Sequence, residues 1–200
     1  MKLQIKLLFA VLSLAIAWPT KAEEIVYEED DDFELVVSSP QVKSKAKEAV
    51  KNYMRQKALD FYKQKMEVEL ARDGEVVIIT IPADELFAPN ETELKKSASQ
   101  VLEKFKPYLT ARGKFKLLLM MHSDDTGSED FLFNLTDDRV NAVHDFFEHY
   151  NPADDAIYDY PRGDTEPLVD NDTRANRAVN RRLEIYIVPD KALIDELSGK

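Results

Sequence analysis

The chain has 200 residues, a formal net charge of −11 and 44% hydrophobic residues. This suits one globular domain with an extension, and it supplies enough apolar mass for a packed core. So acidic a balance argues against non-specific nucleic-acid binding, because attraction to phosphate needs basic surface. The absence of cysteine excludes disulfides, thiolate zinc sites, a cysteine nucleophile and a lipid-anchored N-terminal cysteine.

Residues 1–22 read as a cleaved secretory signal. Lys2 and Lys6 precede the apolar run LLFAVLSLAIAW (7–18), and Thr20-Lys21-Ala22 supplies small residues for cleavage. The run has 12 residues, whereas a helix crossing a bilayer core needs about 20. The expected mature chain therefore has no transmembrane span. Residues 23–40 form an acidic leader, expected to be extended. Residues 41–65 turn basic, with Val42, Ala46, Ala49, Val50, Tyr53 and Met54 at helical spacing and Lys43, Lys47 and Lys51 opposite. This is an amphipathic helix, suited to packing on a neighbouring domain or to touching an acidic surface.

A domain is expected over 66–189, followed by a C-terminal tail and helix over 190–200. MEVEL (66–70) and EVVIITI (75–81) flank Asp73-Gly74, the signature of a hairpin. A helix is expected over 90–109, capped by Asn90 with Glu93 at the capping-box position. KFKLLLMM (114–121) is a buried strand. Leu135, Val140, Val143, Phe146 and Phe147 mark a further helix. AIYDY (156–160) and RRLEIYIV (181–188) are strands, joined by a polar, arginine-rich loop. Strands interleaved with helices give an α/β chain, an α+β two-layer sandwich.

Three readings compete for HSDDTGSED (122–130). Asp and Ser cap turns and helix starts, so the loop could be a turn with an N-cap. A metal site is the second reading, but the acids lack EF-hand spacing, and His144 and His149 do not share a helix face. The third is a zwitterion pocket: Asp124 takes an ammonium and Arg139, 15 residues on, clamps a carboxylate. In the bland version of this geometry the two side chains simply pair. Spacing alone does not choose. No strained Gly-x-Ser-x-Gly turn, paired acid and base, or phosphate loop supports an enzyme.

Four segments in order resemble the OmpA-like peptidoglycan-binding domain shared by OmpA-type porins, Pal lipoproteins and flagellar stator proteins. They are LFAPNETEL (86–94), HSDDTGS followed by Leu135-Thr136, Arg139 and Val143, then RGDTEP (162–167) and NRRLEIYI (180–187). The resemblance spans roughly 66–189 and implies a β-α-β-α-β-β core, here with an N-terminal helix and hairpin strand. It also implies that Asp124 and Arg139 hold the diaminopimelate residue of a peptidoglycan stem peptide, with Asn90, Ser123 and Arg181 lining the same pocket. Strand alternation puts Arg181 on the side of Leu183 and Ile185. Met121 replaces a family glycine, Leu132 replaces a frequent asparagine, and Asp137 and Asp138 stand beside Arg139 as competitors.

The implied role is a non-enzymatic tether between envelope and wall, with no metal or other cofactor. It would act in the periplasm of a diderm bacterium, with any outer-membrane association supplied by a partner protein. The alternative is an envelope assembly protein that keeps the fold without the ligand.

Overall fold

A computed structural model describes residues 32–151 and 156–199. The expected signal segment lies outside them, as does the leader before Asp32. In chain order the elements are α1 (Phe33–Ser38), α2 (Ser44–Lys63), β1 (Glu67–Ala71), β2 (Val76–Pro82), α3 (Ala83–Leu86), α4 (Ser99–Leu102), α5 (Lys106–Leu109), β3 (Phe115–His122), α6 (Glu129–Glu148), β4 (Ile157–Gly163), α7 (Arg174–Asn180), β5 (Arg182–Pro189) and α8 (Lys191–Leu197). Among the described residues no helix is long and apolar enough to cross a membrane.

The strands form one mixed sheet in the order β1-β2-β5-β3-β4. Only β3 and β4 are parallel, and α6 connects them. The sheet centre carries the most continuous apolar runs, as doubly covered strands should. Val77, Ile79 and Ile81 of β2, Leu117, Leu119 and Met121 of β3, and Leu183, Ile185 and Ile187 of β5 face the helices. This is the expected α+β arrangement.

The basic helix joins that core directly. Ala46, Val50, Met54, Ala58 and Phe61 of α2 are buried, and the Phe61 ring lies 5.2 Å from Phe105 and 5.5 Å from Tyr108. On its other side Lys51 bonds Asp73 in the hairpin turn, and Lys47 lies 3.6 Å from the same carboxylate. The lysine face thus leans on the domain. Asp73 and Gly74 take φ of 56° and 91°, the left-handed values the turn demands.

Three expectations differ from the structure. First, the described end of the leader is helical and packed. Val36 is buried against Val76, Leu118, Met120, Tyr160 and Val188 on the sheet face opposite the main helices. Phe33 sits edge-on to Tyr160 and Tyr186, each at 5.2 Å. The apolar residues 33–37 have an uncovered sheet face to bury against, which outweighs the acidic context.

Second, no helix starts at Asn90. That residue has φ of 60°, and helix begins only at Ser99. Residues 87–98 instead form a loop closed by a Phe87–Leu94 bridge and by the Lys95 N–H donating to the Leu86 carbonyl at 2.8 Å. Pro107, which has no N–H to donate, then divides the remaining helix. Third, the arginine-rich loop before β5 contains α7, capped by the Thr173 hydroxyl accepting from the Asn176 N–H at 3.0 Å.

Candidate functional site

One edge of the sheet gathers the chain ends that matter. The last residues of β2 and β3 and the first of β5 lie side by side, with Pro82 and His122 both in register with Arg182. The chain leaves β2 into α3 and the 87–98 loop. It leaves β3 into the loop before α6, and it enters β5 from α7. Each segment therefore presents side chains to one space.

The loop after β3 is pinned before it can present anything. Ser123 N–H donates to the Gly163 carbonyl at 2.6 Å. Gly163 N–H donates to the Thr136 hydroxyl at 3.0 Å, tying β4 to α6. Gly163 has φ of 52°, and its missing side chain leaves room for the backbone of Phe133, 3.4 Å from where a Cβ would stand. Ser128 caps α6 by accepting from the Phe131 N–H.

Asp124 is 5% exposed. Its Oδ1 accepts from the Thr126 N–H at 2.8 Å and its Oδ2 from Arg181 Nη1 at 2.5 Å. Burial alone would raise its pKa. The hydrogen bonds from Thr126 and Arg181 outweigh burial and hold the carboxyl below its ordinary value, so it is an anion.

Arg139 is 4% exposed. Its Nε donates to the Glu91 carbonyl at 2.9 Å and its Nη2 to the Ala88 carbonyl at 3.3 Å, and the guanidinium lies 5.0 Å from the centre of the Phe87 ring. Burial pulls its pKa down, with Asp84 opposing and Arg181 assisting. Arg139 does not pair with Asp124, and neither Asp137 nor Asp138 competes for it among the described residues. The 87–98 loop supplies those carbonyls, which explains why that stretch bends where a helix was expected.

Asn90, Ser123, Asp124, Arg139 and Arg181 all line one cavity of about 520 Å³. Ser123 donates its hydroxyl to the Asp124 carbonyl at 2.9 Å, so it shapes the loop as well as the wall. Arg181 is the residue after α7, one before β5, so strand alternation does not set its direction. It reaches Asp124 and also lies 3.5 Å from Asp84. Leu132 closes the wall with Phe131 and Leu135.

Sequence reasoning missed Asp84, Lys95, Arg174 and Arg177, which line the same cavity. Arg174, Arg177 and Arg181 stand at i, i+3 and i+7, a helical signal that was present in the arginine-rich stretch. Among the described residues no group of three or more His, Cys, Asp or Glu side chains forms a metal cluster.

No family model matches the chain. It is similar to the probable lipoprotein YiaD of Escherichia coli (strain K12), with 25% identity over 122 residues. It is also similar to outer membrane protein A of Bordetella avium, with 26% identity over 110 residues. These alignments cover 61% and 55% of this chain and 56% and 57% of the relatives, so the chain spans about half the length of the curated relatives it matches.

Among solved structures, the fold is shared with a putative MotB like protein from Desulfovibrio vulgaris. The TM-score is 0.62 at 20% identity, over 72% of this chain and 98% of that one. The cell wall anchor of the T6SS from Pseudomonas aeruginosa matches with a TM-score of 0.57 at 27% identity, over 68% and 96% of the two chains. In sheet topology the chain thus shares its fold with these solved structures, and in sequence it is similar to envelope proteins of the outer membrane protein A type.

Proposed function

We propose that the protein binds peptidoglycan non-covalently through the diaminopimelate residue of the stem peptide and so tethers the cell envelope to its wall. The observation that carries this reading is the pairing of unlike charges in one cavity. Asp124 and Arg139 both line it, both are buried, and they do not neutralise each other. A side chain bearing an ammonium and a carboxylate on one carbon complements such a site, with the ammonium on Asp124 and the carboxylate on Arg139. Asn90, Ser123 and Arg181 complete the wall. Solved relatives described as a cell wall anchor and as MotB like lend support from fold and sequence. A periplasmic location, with any outer-membrane association made through a partner protein, fits the signal-like N-terminus and the named relatives.

Co-sedimentation with purified sacculi tests this. Asp124→Ala and Arg139→Ala should each weaken pull-down by about 2–5 kcal/mol, because each leaves a ligand charge unpaired. Unchanged pull-down in both variants, with circular dichroism as in the wild type, would remove the site from consideration. Release of soluble muropeptides from the sacculi would instead indicate catalysis.

A further inference from the structure

The cavity holds more charge than a single zwitterion needs. Lys95, Arg139, Arg174, Arg177 and Arg181 line it, against Asp84 and Asp124 alone. A chain with 38 acidic and 27 basic residues thus gathers five cations and two acids around one space. The surplus is not cancelled internally. Arg181 takes both acids. Lys95 and Arg139 direct their donors at backbone carbonyls, and Arg177 donates to the Asn171 carbonyl. Neither Arg174 nor Arg177 meets a carboxylate among the described residues.

Geometry separates these two arginines from the Asp124–Arg139 pair. They sit on successive positions of one face of α7, while Arg139 reaches the cavity from the third turn of α6. The loop under α7 is held firmly: Asn180, fully buried, accepts from the N–H groups of Leu168 and Val169 and donates to the Val169 carbonyl and the Asn171 side chain. The two guanidinium groups therefore stand on a braced platform.

We propose that Arg174 and Arg177 form a second anion site that reads a further free carboxylate of the stem peptide. The protein then distinguishes carboxylate from carboxamide forms of the same peptide. This rests on the diaminopimelate reading above and adds to it. A carboxamide has nearly the size of a carboxylate but carries no charge, and it turns an N–H₂ donor towards guanidinium groups that have only donors. Rejection follows from mismatch at that contact as well as from lost attraction.

Calorimetric titration of the full chain tests the proposal. The probes are a diaminopimelate-containing tetrapeptide with all carboxyls free and two versions singly amidated, at the D-glutamate α-carboxyl or at the C-terminus. At least one amidated peptide should bind the wild type about tenfold more weakly than the free form, the scale of one lost charge-assisted contact. Arg174→Gln and Arg177→Gln, singly or together, should shrink that ratio towards unity while binding of the amidated peptide stays near wild type. Arg174 is exposed, so its variant remains informative if Arg177→Gln fails to fold. Equal binding of free and amidated peptides by the wild type overturns the second site but leaves the diaminopimelate reading intact. So does undiminished discrimination in the Arg174 variant. Failure of the wild type to bind any of the three overturns that reading and this one together.

Discussion

His122 ends β3 with its imidazole 1% exposed, and neither ring nitrogen has a hydrogen-bond partner among the described residues. Glu184 Oε1 is 3.9 Å from Nε2. Burial, reinforced by Arg182 and Arg162, pushes its pKa from 6.5 down to about 3. The ring is therefore neutral near neutral pH and supports the loop as a shaped apolar body. Because the folded pKa is depressed, the unfolded chain takes up the proton first as pH falls. The stability present above pH 6.5 is lost between there and about pH 3. The slope from this group is at most about 1.4 kcal/mol per pH unit. Urea midpoints should fall from pH 7 to pH 4, and His122→Leu should flatten the fall; equal slopes in the two proteins would contradict this. Legibility at this scale was uneven. Asp124 and Arg139 were readable because a motif fixes their spacing. The Arg181–Asp124 contact was not, since those residues meet only through sheet register.

At the level of elements, apolar spacing was a better guide to burial than to helix. Leu94, Ala98, Val101, Leu102, Phe105 and Leu109 were expected on one helical face, and all of them pack in or against the core. The regular helix fails there because Asn90 turns left-handed and Pro107 interrupts the later turns. The helix α7 was missed because its seven residues, RANRAVN, offer no apolar stripe. Its stability comes instead from the buried Asn180 side chain. Asn180→Ala removes a buried side chain's hydrogen bonds to Leu168, Val169 and Asn171 and should destabilise the protein by about 1–3 kcal/mol, at roughly 0.5–1.5 kcal/mol per bond lost to groups that water can reach. Amide hydrogen exchange at Leu168 and Val169 should accelerate alongside. Wild-type protection at both positions would show that α7 is held by other means.

For the molecule as a whole, the fold class was legible from strand patterns and ordered motifs. The packing of residues 33–37 against the sheet was not. The sequence reads 41–65 as an amphipathic helix suited to packing on the domain, and α2 buries five side chains in the same core as the sheet. Each such side chain contributes on the order of 1.5–3 kcal/mol if large and apolar, a sum comparable with the net stability of a domain. A chain of residues 66–200 should therefore lose cooperative thermal unfolding and bind hydrophobic dye, while 32–200 keeps a single sharp transition. A sigmoidal melt from the shorter chain would make α2 an accessory to a self-sufficient domain.

The contact between Arg181 and Asp124 makes the site its own competitor. A cation already occupies the carboxylate where a ligand's ammonium is proposed to sit, and Asp84 stands within 3.5 Å to keep the displaced guanidinium. Ligand entry is then a partner exchange, one ion pair for another. On the proposed reading, the heat released at Asp124 is reduced by the ion pair it gives up. On that reading the position is a filter, open to groups that can stand in for a guanidinium, and its removal leaves a bound ammonium facing Arg181 with no carboxylate between them.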